Sequence, residues 1–170
     1  MKRLPAAAKV VLAVAIAVGI GLCVRQWIAG TKRVAGTSMM DTLCPGDVAL
    51  ITRLDYRFGN TPRRGDVVEC RFPGRDGTFI KRVVGLPGEA VECFGGAVTV
   101  DGRVIDEPYV SSVTGDFQTL LGADEYLVLG DNRAESYDSR MEDMGPIGPN
   151  DVLGRVHLVI WPPERFGRVE

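Results

Sequence analysis

The sequence predicts a mainly β fold, an antiparallel β-sheet domain preceded by one apolar helix near the N-terminus. Three observations carry this. Positions 10–24 are uncharged and largely apolar, bounded by Lys9 and Arg25. Beyond them, turn dipeptides at short spacing cut the chain into short apolar runs. No apolar period of 3.6 residues lasts three turns outside the first segment. Charge divides the chain at the same place. All six basic residues before position 34 stand in a stretch without acids, while the remainder carries 14 basic and 22 acidic residues. The net charge of −2 over 170 residues excludes a basic nucleic-acid binder and an acidic disordered tail.

The first element, as a helix over 10–24, is ~22 Å long, short of a ~30 Å hydrocarbon core. Ala6–Ala8 before it and Trp27-Ile28 after it extend it to about 20 residues. Lys9 and Arg25 would then snorkel, and Trp27 would sit at the interface. Such a segment is a membrane anchor over 10–28 or the apolar core of a cleaved signal peptide. Three basic residues on each side leave its orientation open. In both cases the rest of the chain lies outside the cytosol or against a membrane.

Strands are expected next at 48–54, 66–72, 78–86, 90–94, 97–100, 126–129 and 152–161. Between them stand Pro45-Gly46-Asp47, Arg64-Gly65-Asp66, Pro73-Gly74, Pro87-Gly88, Gly95-Gly96 and Asp101-Gly102. Gly95-Gly96 between two apolar runs is a hairpin signal. One β domain over 29–170 follows. Cys44, Cys70 and Cys93 form no C-x-x-C and the chain has one histidine, so no metal site is expected, and buried free thiols are.

Four places could carry chemistry. His157 lies in an alternating run, Val156-His157-Leu158-Val159, and reads as a strand histidine with ordinary hydrogen bonds. From position 34 onward there are thirteen arginines and a single lysine, Lys81. Strand alternation in Thr78-Phe79-Ile80-Lys81-Arg82-Val83-Val84 puts Lys81 on one face with Phe79 and Val83 and sends Arg82 to the other. A lysine among apolar neighbours is desolvated, which favours the neutral amine and allows general-base chemistry; a snorkelling edge lysine is the alternative. Ser38, in Gly36-Thr37-Ser38-Met39, is a candidate nucleophile, although hydroxyls near glycines are mostly turn residues. The segment 130–140 begins like a calcium loop at Asp131, but Arg133 stands at a ligand position and Ser136 at the required glycine, which excludes calcium. Arg64-Gly65-Asp66 reads as a turn before a strand.

Four blocks together resemble type I signal peptidases in order and spacing: Ser38-Met39-Met40-Asp41-Thr42-Leu43, Gly65-Asp66-Val67-Val68, Lys81 to Glu89, and Gly130 to Arg140. The likeness runs from the apolar segment to Trp161-Pro162. It implies a membrane-bound serine endopeptidase that removes signal peptides from exported preproteins after small residues of the Ala-x-Ala type. By this resemblance Ser38 is the nucleophile and Lys81 its general base. Ser136 helps hold the lysine, and Asp138 with Arg140 forms a supporting ion pair. Backbone N–H of Ser38 and a backbone donor at Gly36, where some members have a hydroxyl, would form the oxyanion hole. Val34, Met39, Leu43, Phe79 and Ile80 would line shallow substrate pockets. No cofactor and no nucleic-acid partner is implied; the partners are preproteins and the lipid bilayer, and the chain is expected to be a monomer. The resemblance also implies an uncleaved single-pass anchor in a bacterial cell membrane, with residues 1–9 inside and 29–170 outside. Spacings of 43 residues from Ser38 to Lys81 and 55 from Lys81 to Ser136 are more like the Gram-positive type.

Two departures from the family pattern stand out. Asp41 occupies the usual place of a proline, adding a carboxylate that would impair a lysine base if it lay close by; it is expected to face solvent or cap the following turn. The stretch 141–145 is longer than in many members. A narrow-substrate relative, such as a pilin-processing enzyme, and a non-catalytic scaffold of the same fold are the competing readings. The scaffold needs neither Ser38 nor Lys81.

Overall fold

The computed structural model describes residues 5–23, 29–56 and 59–170. One α-helix, α1 (Ala6–Cys23), precedes eleven strands: β1 (Ala29–Arg33), β2 (Val48–Thr52), β3 (Val67–Cys70), β4 (Phe79–Gly85), β5 (Ala90–Phe94), β6 (Ala97–Val100), β7 (Arg103–Val104), β8 (Phe117–Leu120), β9 (Leu127–Leu129), β10 (Val152–Trp161) and β11 (Gly167–Arg168). They form two antiparallel sheets. One has the order β1-β2-β10-β3-β4-β9 with β11 on β10, and the other the order β7-β6-β5-β8. The mainly β expectation therefore holds for the domain.

For the first segment less is described. The helix of 18 residues is about 27 Å long. Among the described residues no helix is long and apolar enough to cross a membrane. The expected anchor over 10–28 includes residues 24–28, which lie outside the described residues, as do 1–4 of the expected N-terminal tail.

Seven strands were expected and all form, trimmed where local chemistry intervenes. The 48–54 run ends at Thr52, because Leu54–Tyr56 turns into a 3-10 helix. Gly95 and Gly96 have φ of 61° and 88°, the left-handed pair that a two-residue hairpin turn needs, and β5 and β6 pair across them. The strands missing from the sequence reading are β1, β7, β8 and β11. All four lie at sheet edges or pair on one side only and carry no clean apolar alternation; Ala29-Gly30-Thr31-Lys32-Arg33 is the plainest case.

β4 is the centre of the design. It is paired on both sides, by β3 and β9, and buried on both faces. One face joins the cluster of Val68, Cys70, Phe72, Val83 and Val128; the other joins Val34, Met39, Leu43, Val67 and Ile80. At its end Gly85 passes so close to the second sheet's core that a Cβ would stand 2.6 Å from Leu121 Cδ1 and 2.8 Å from Val91 Cγ2. Gly85→Ala should therefore lower stability by about 2 kcal/mol through overpacking, read as a fall in the urea midpoint with unchanged slope.

Candidate active site

Ser38 stands in a turn that the sequence builds from its flanks. Met40 N–H donates to Thr37 O at 3.0 Å and Leu43 N–H to Met39 O at 2.7 Å, while the Met39 and Leu43 side chains sink into the core and hold the turn down. Ser38 itself remains half-buried at the surface. Asp41 is exposed and has φ of 57°, a left-handed conformation that an aspartate tolerates and a proline ring cannot reach. The expectation that Asp41 faces solvent agrees with its exposure, and its backbone explains why proline is absent here.

Lys81 lies opposite Val68 on β3, on the apolar face shared with Phe79 and Val83, and only 2 % of it is exposed. Nζ donates to Ser136 Oγ at 2.9 Å. Burial pushes the amine below the ordinary lysine range; the charge of Asp138 opposes this most, and Arg140 reinforces it. The Cys70 thiol is pushed up to about 12 by its own burial, so it stays uncharged and Asp138 is the anion that matters. Burial would raise Asp138 as well. Arg140 overrides it, donating from Nε to Oδ1 at 2.8 Å and from Nη2 to Oδ2 at 3.0 Å, with help from the Ser136 hydroxyl and Gly130 N–H, and holds the carboxyl below the usual range. Asp138 is thus ionised but already matched to a guanidinium. Gly130 supplies the fit. A Cβ there would overlap both Ser136 Oγ and the Ser38 carbonyl oxygen, so the lysine's partner and the Ser38 turn meet over a bare backbone.

The opposite face of β4 carries Arg82, 1 % exposed, in a two-pronged ion pair with the fully buried Asp131: Nε to Oδ1 at 2.9 Å and Nη2 to Oδ2 at 2.7 Å. Thr42 Oγ1 donates to Asp131 Oδ2 at 2.5 Å, and Arg82 Nη1 donates to Gly65 O at 2.9 Å. The guanidinium stacks on Tyr109, 3.8 Å from its ring centre. Tyr109 in turn donates to Glu107, which pairs with Arg133, whose Nε holds Gly130 O at 3.0 Å. The Ser38 turn, the lysine strand and the 130–140 loop are therefore joined by one buried polar network. Among the described residues no buried side-chain N or O atom lacks a partner.

Beside Ser38 runs a groove of about 300 Å³, lined by Lys32 to Gly36, Ser38, Met39, Thr78, Phe79 and Ile80. Its two walls run in the same direction. Lys32 bonds to Thr78, Val34 packs with Ile80 in one core cluster, and Ser38 is tied towards Lys81 through Gly130, beside which lie both the Ser38 carbonyl and the Ser136 hydroxyl that Lys81 Nζ meets. Four of the five expected pocket residues line the groove; Leu43 lies beneath it, fully buried. Open space surrounds the point where a Gly36 Cβ would stand. The structure brings Ser136, Asp138 and Arg140 together at Lys81.

Elsewhere, His157 Nε2 meets Asp55 Oδ2 at 3.0 Å on β10, an ordinary strand contact. Asp66 of the Arg-Gly-Asp turn is buried against Tyr56 and Arg155. Cys44, Cys70 and Cys93 are free thiols. Sequence reasoning missed Arg82, Asp131 and Thr42. The signal was an arginine alternating with Lys81 in an apolar strand, which demanded a buried carboxylate somewhere in the chain.

Comparison with known proteins adds an independent finding. A family model described as signal peptidase, peptidase S26, matches residues 7–161. The chain is 35% identical over 167 residues to signal peptidase I of Leptolyngbya laminosa, covering 92% of this chain and 80% of that protein. It is 32% identical over 162 residues to signal peptidase I P of Bacillus subtilis subsp. natto, covering 88% and 86%. Among solved structures, a signal peptidase I from Enterococcus faecalis V583 superposes with a TM-score of 0.52 at 30% identity, over 56% of this chain and 97% of that one.

Two outcomes follow from the geometry. Between the lowered Lys81 pKa and the free lysine value of about 10.4, the unfolded chain holds a proton that the folded chain has released, so this group's contribution to stability rises with pH. Lys81→Met should therefore raise the urea midpoint most at pH 6, with the gain shrinking towards pH 10. Asp41→Pro should cost about 2 kcal/mol or more, while Asp41→Asn stays within about 0.5 kcal/mol, both by the same unfolding measurement.

Proposed function

The chain belongs to the signal peptidase family S26 and is a hydrolase of that class, and from this premise we propose that Ser38 and Lys81 are its nucleophile and general base. The observation that carries the proposal is a buried lysine whose amine burial pushes below the ordinary range and whose Nζ donates to Ser136 Oγ, with Ser136 meeting the turn of the half-buried, groove-lining Ser38 over bare Gly130.

In this mechanism a preprotein segment lies extended in the groove and Ser38 Oγ attacks the carbonyl carbon of the scissile peptide. Lys81 takes the hydroxyl proton, and the tetrahedral oxyanion accepts hydrogen bonds from backbone N–H donors at Ser38 and Gly36. The resulting ammonium gives its proton to the departing amine. Lys81 then deprotonates a water that attacks the acyl carbon; the ester bond to Ser38 Oγ breaks and Ser38 takes the proton back from Lys81. Asp138 is placed to steady the ammonium while it exists, and Arg140 keeps that help from becoming permanent. A lysine base needs to be neutral at rest and tolerated when charged, and this pairing meets both needs. The small groove beside bare Gly36 supports cleavage after small residues of the Ala-x-Ala type.

The proposal includes a single-pass anchor over 10–28 in a bacterial cell membrane, with the N-terminus inside and 29–170 acting outside as a monomer. The exposed apolar side chains of α1, Val10, Val11, Val14 and Ile20 among them, support lipid contact.

The test is cleavage of a preprotein with an Ala-x-Ala junction by the full chain in detergent micelles, from pH 6 to 10. Ser38→Ala and Lys81→Met should each lower kcat by about 10³-fold or more. Arg140→Met leaves Asp138 uncompensated beside Lys81, raises the lysine pKa, and should move the acid limb of the rate profile to higher pH. Retained cutting by a folded Lys81→Met variant would sink the dyad.

A further inference from the structure

Between β4 and β9 the chain leaves the first sheet and builds the second, and the stretch 105–116 between β7 and β8 returns to the first. That stretch lies outside the four blocks that carry the family likeness, and the hydrolytic steps give it no task. Two of its side chains nonetheless reach the buried network beneath the reacting groups. The Tyr109 ring covers the guanidinium of Arg82, the neighbour of Lys81 on β4, 3.8 Å from the ring centre. Glu107 grips Arg133 with both carboxylate oxygens, accepting from Nη1 at 3.0 Å and from Nη2 at 2.5 Å. Thr114 Oγ1 accepts from the same Nη1 at 2.9 Å. The Arg133 side chain is fully buried and that of Glu107 is 10% exposed, so the pair is a compensated charge withdrawn from water and not a surface ion pair.

The stretch is itself firmly seated. Ile105 packs against the second sheet's core and its N–H donates to Val98 O at 3.0 Å, while Val110 N–H closes a turn onto Glu107 O at 3.0 Å. Tyr109 Oη donates to Glu107 Oε1 at 2.9 Å; burial and that carboxylate push the phenol up, so the hydroxyl keeps its proton and its bond. What this pair holds is Gly130. Arg133 Nε donates to Gly130 O at 3.0 Å, and Gly130 N–H donates to Asp138 Oδ2 at 2.9 Å, so the backbone of this residue is fixed from both ends. Ser136 Oγ and Ser38 O crowd the place where a Gly130 Cβ would stand. A displacement of Gly130 is therefore passed on to Ser136, which aims Lys81, and to the turn that carries Ser38.

We propose that Glu107 and Tyr109 are positioning residues for hydrolysis: the returning stretch holds Gly130 through Arg133 and the lysine strand through Arg82, and so sets the distance between the Ser38 turn and the Lys81–Ser136 pair. The proposal rests on reading Ser38 and Lys81 as the reacting pair. Attack by a serine on a carbonyl carbon depends on near-exact placement, and a shift of about 1 Å caused from a distance can cost about 10²-fold in rate. Neither residue lines the groove, so the effect falls on the reacting geometry and not on substrate binding. Nor does either belong to the charges of Asp138 and Arg140 that act on Lys81, so the pH at which the lysine gains its proton stays in place.

The experiment measures kcat and KM of the full chain in detergent micelles on a preprotein with an Ala-x-Ala junction, from pH 6 to 10. The variants are Glu107→Gln, Tyr109→Leu and Tyr109→Phe, each checked for native circular dichroism at the assay temperature. Glu107→Gln removes the charge that answers Arg133 and should lower kcat by about 30-fold; Tyr109→Leu keeps an apolar cover but no ring face for Arg82 and should lower it by about tenfold. In both, KM should stay within about twofold and the acid limb of the rate profile should not move. Tyr109→Phe keeps the ring over Arg82 and should recover kcat to about a third of the parent value. Glu107→Asp keeps the charge with a shorter reach, should lower kcat by about tenfold, and takes the place of Glu107→Gln if that variant does not fold. Folded Glu107 and Tyr109 variants whose kcat stays within about twofold of the parent, even with a lowered urea midpoint, overturn the proposal and leave the stretch a purely structural support. A raised KM at unchanged kcat overturns it too, because the stretch would then act on the groove. A folded Ser38→Ala or Lys81→Met variant that still cuts overturns the reading of the reacting pair and this proposal with it.

Discussion

The buried ion pair between Arg82 and Asp131 is the constraint on which the rest of the site depends. Two charges taken out of water cost several kcal/mol each, and the attraction between them repays this only with good geometry and full hydrogen bonding. Both conditions are met: the pair is two-pronged, Thr42 takes a further carboxylate position, Gly65 O a further guanidinium proton, and Tyr109 covers the flat face. Loss of one partner would strand the other, at about 3–5 kcal/mol. The arrangement therefore tolerates little displacement of the segments it joins. Those segments are the Ser38 turn through Thr42, the lysine strand through Arg82 and the 130–140 loop through Asp131.

Because Arg82 and Lys81 are neighbours on one strand, fixing the first aims the second. Alternation sends them to opposite faces. The two faces then treat their cations in opposite ways. Arg82 cannot lose its charge and is given a full counter-charge, whereas Lys81 can lose its proton and is given an apolar wall, one serine hydroxyl and an aspartate already committed to Arg140. The same residue class thus yields a structural cation on one side and an amine pushed below the ordinary lysine range on the other. Burial, nearly equal for the two, lowers the Lys81 pKa because no free counter-charge answers it, whereas at Arg82 Asp131 answers it in full.

The groove grows out of the same frame. β9 joins β4 only from Arg82 onward, so Phe79 to Lys81 pair with β3 alone and their other edge, beside the groove that Val34 to Gly36 also line, remains available to a third, extended chain. Glycine at two points keeps the space open in different ways. Gly130 lets the Ser38 turn and Ser136 approach over bare backbone, and Gly36 leaves room beside the serine. Val34 and Ile80 line it with apolar side chains, and Lys32 reaches Thr78 and Glu69 beside them.

Much of this was legible in the sequence. Periodicity and turn dipeptides gave the mainly β class and seven strands, because alternation and left-handed glycine turns are local properties. A single lysine facing Phe79 and Val83 within an apolar strand marked Lys81, since desolvation of a cation can be read from its neighbours in one strand. Edge strands such as β1 were not legible, because their pairing is settled by a partner distant in the chain rather than by their own pattern. Nor were the partnerships: that Asp131 answers Arg82, that Arg140 answers Asp138, or that Lys32 crosses to Glu69 depends on which segments the fold brings within hydrogen-bond reach. The sequence by itself determined which residues are too costly to bury alone; only the tertiary structure decided what each is buried against, because charge compensation acts across space and not along the chain.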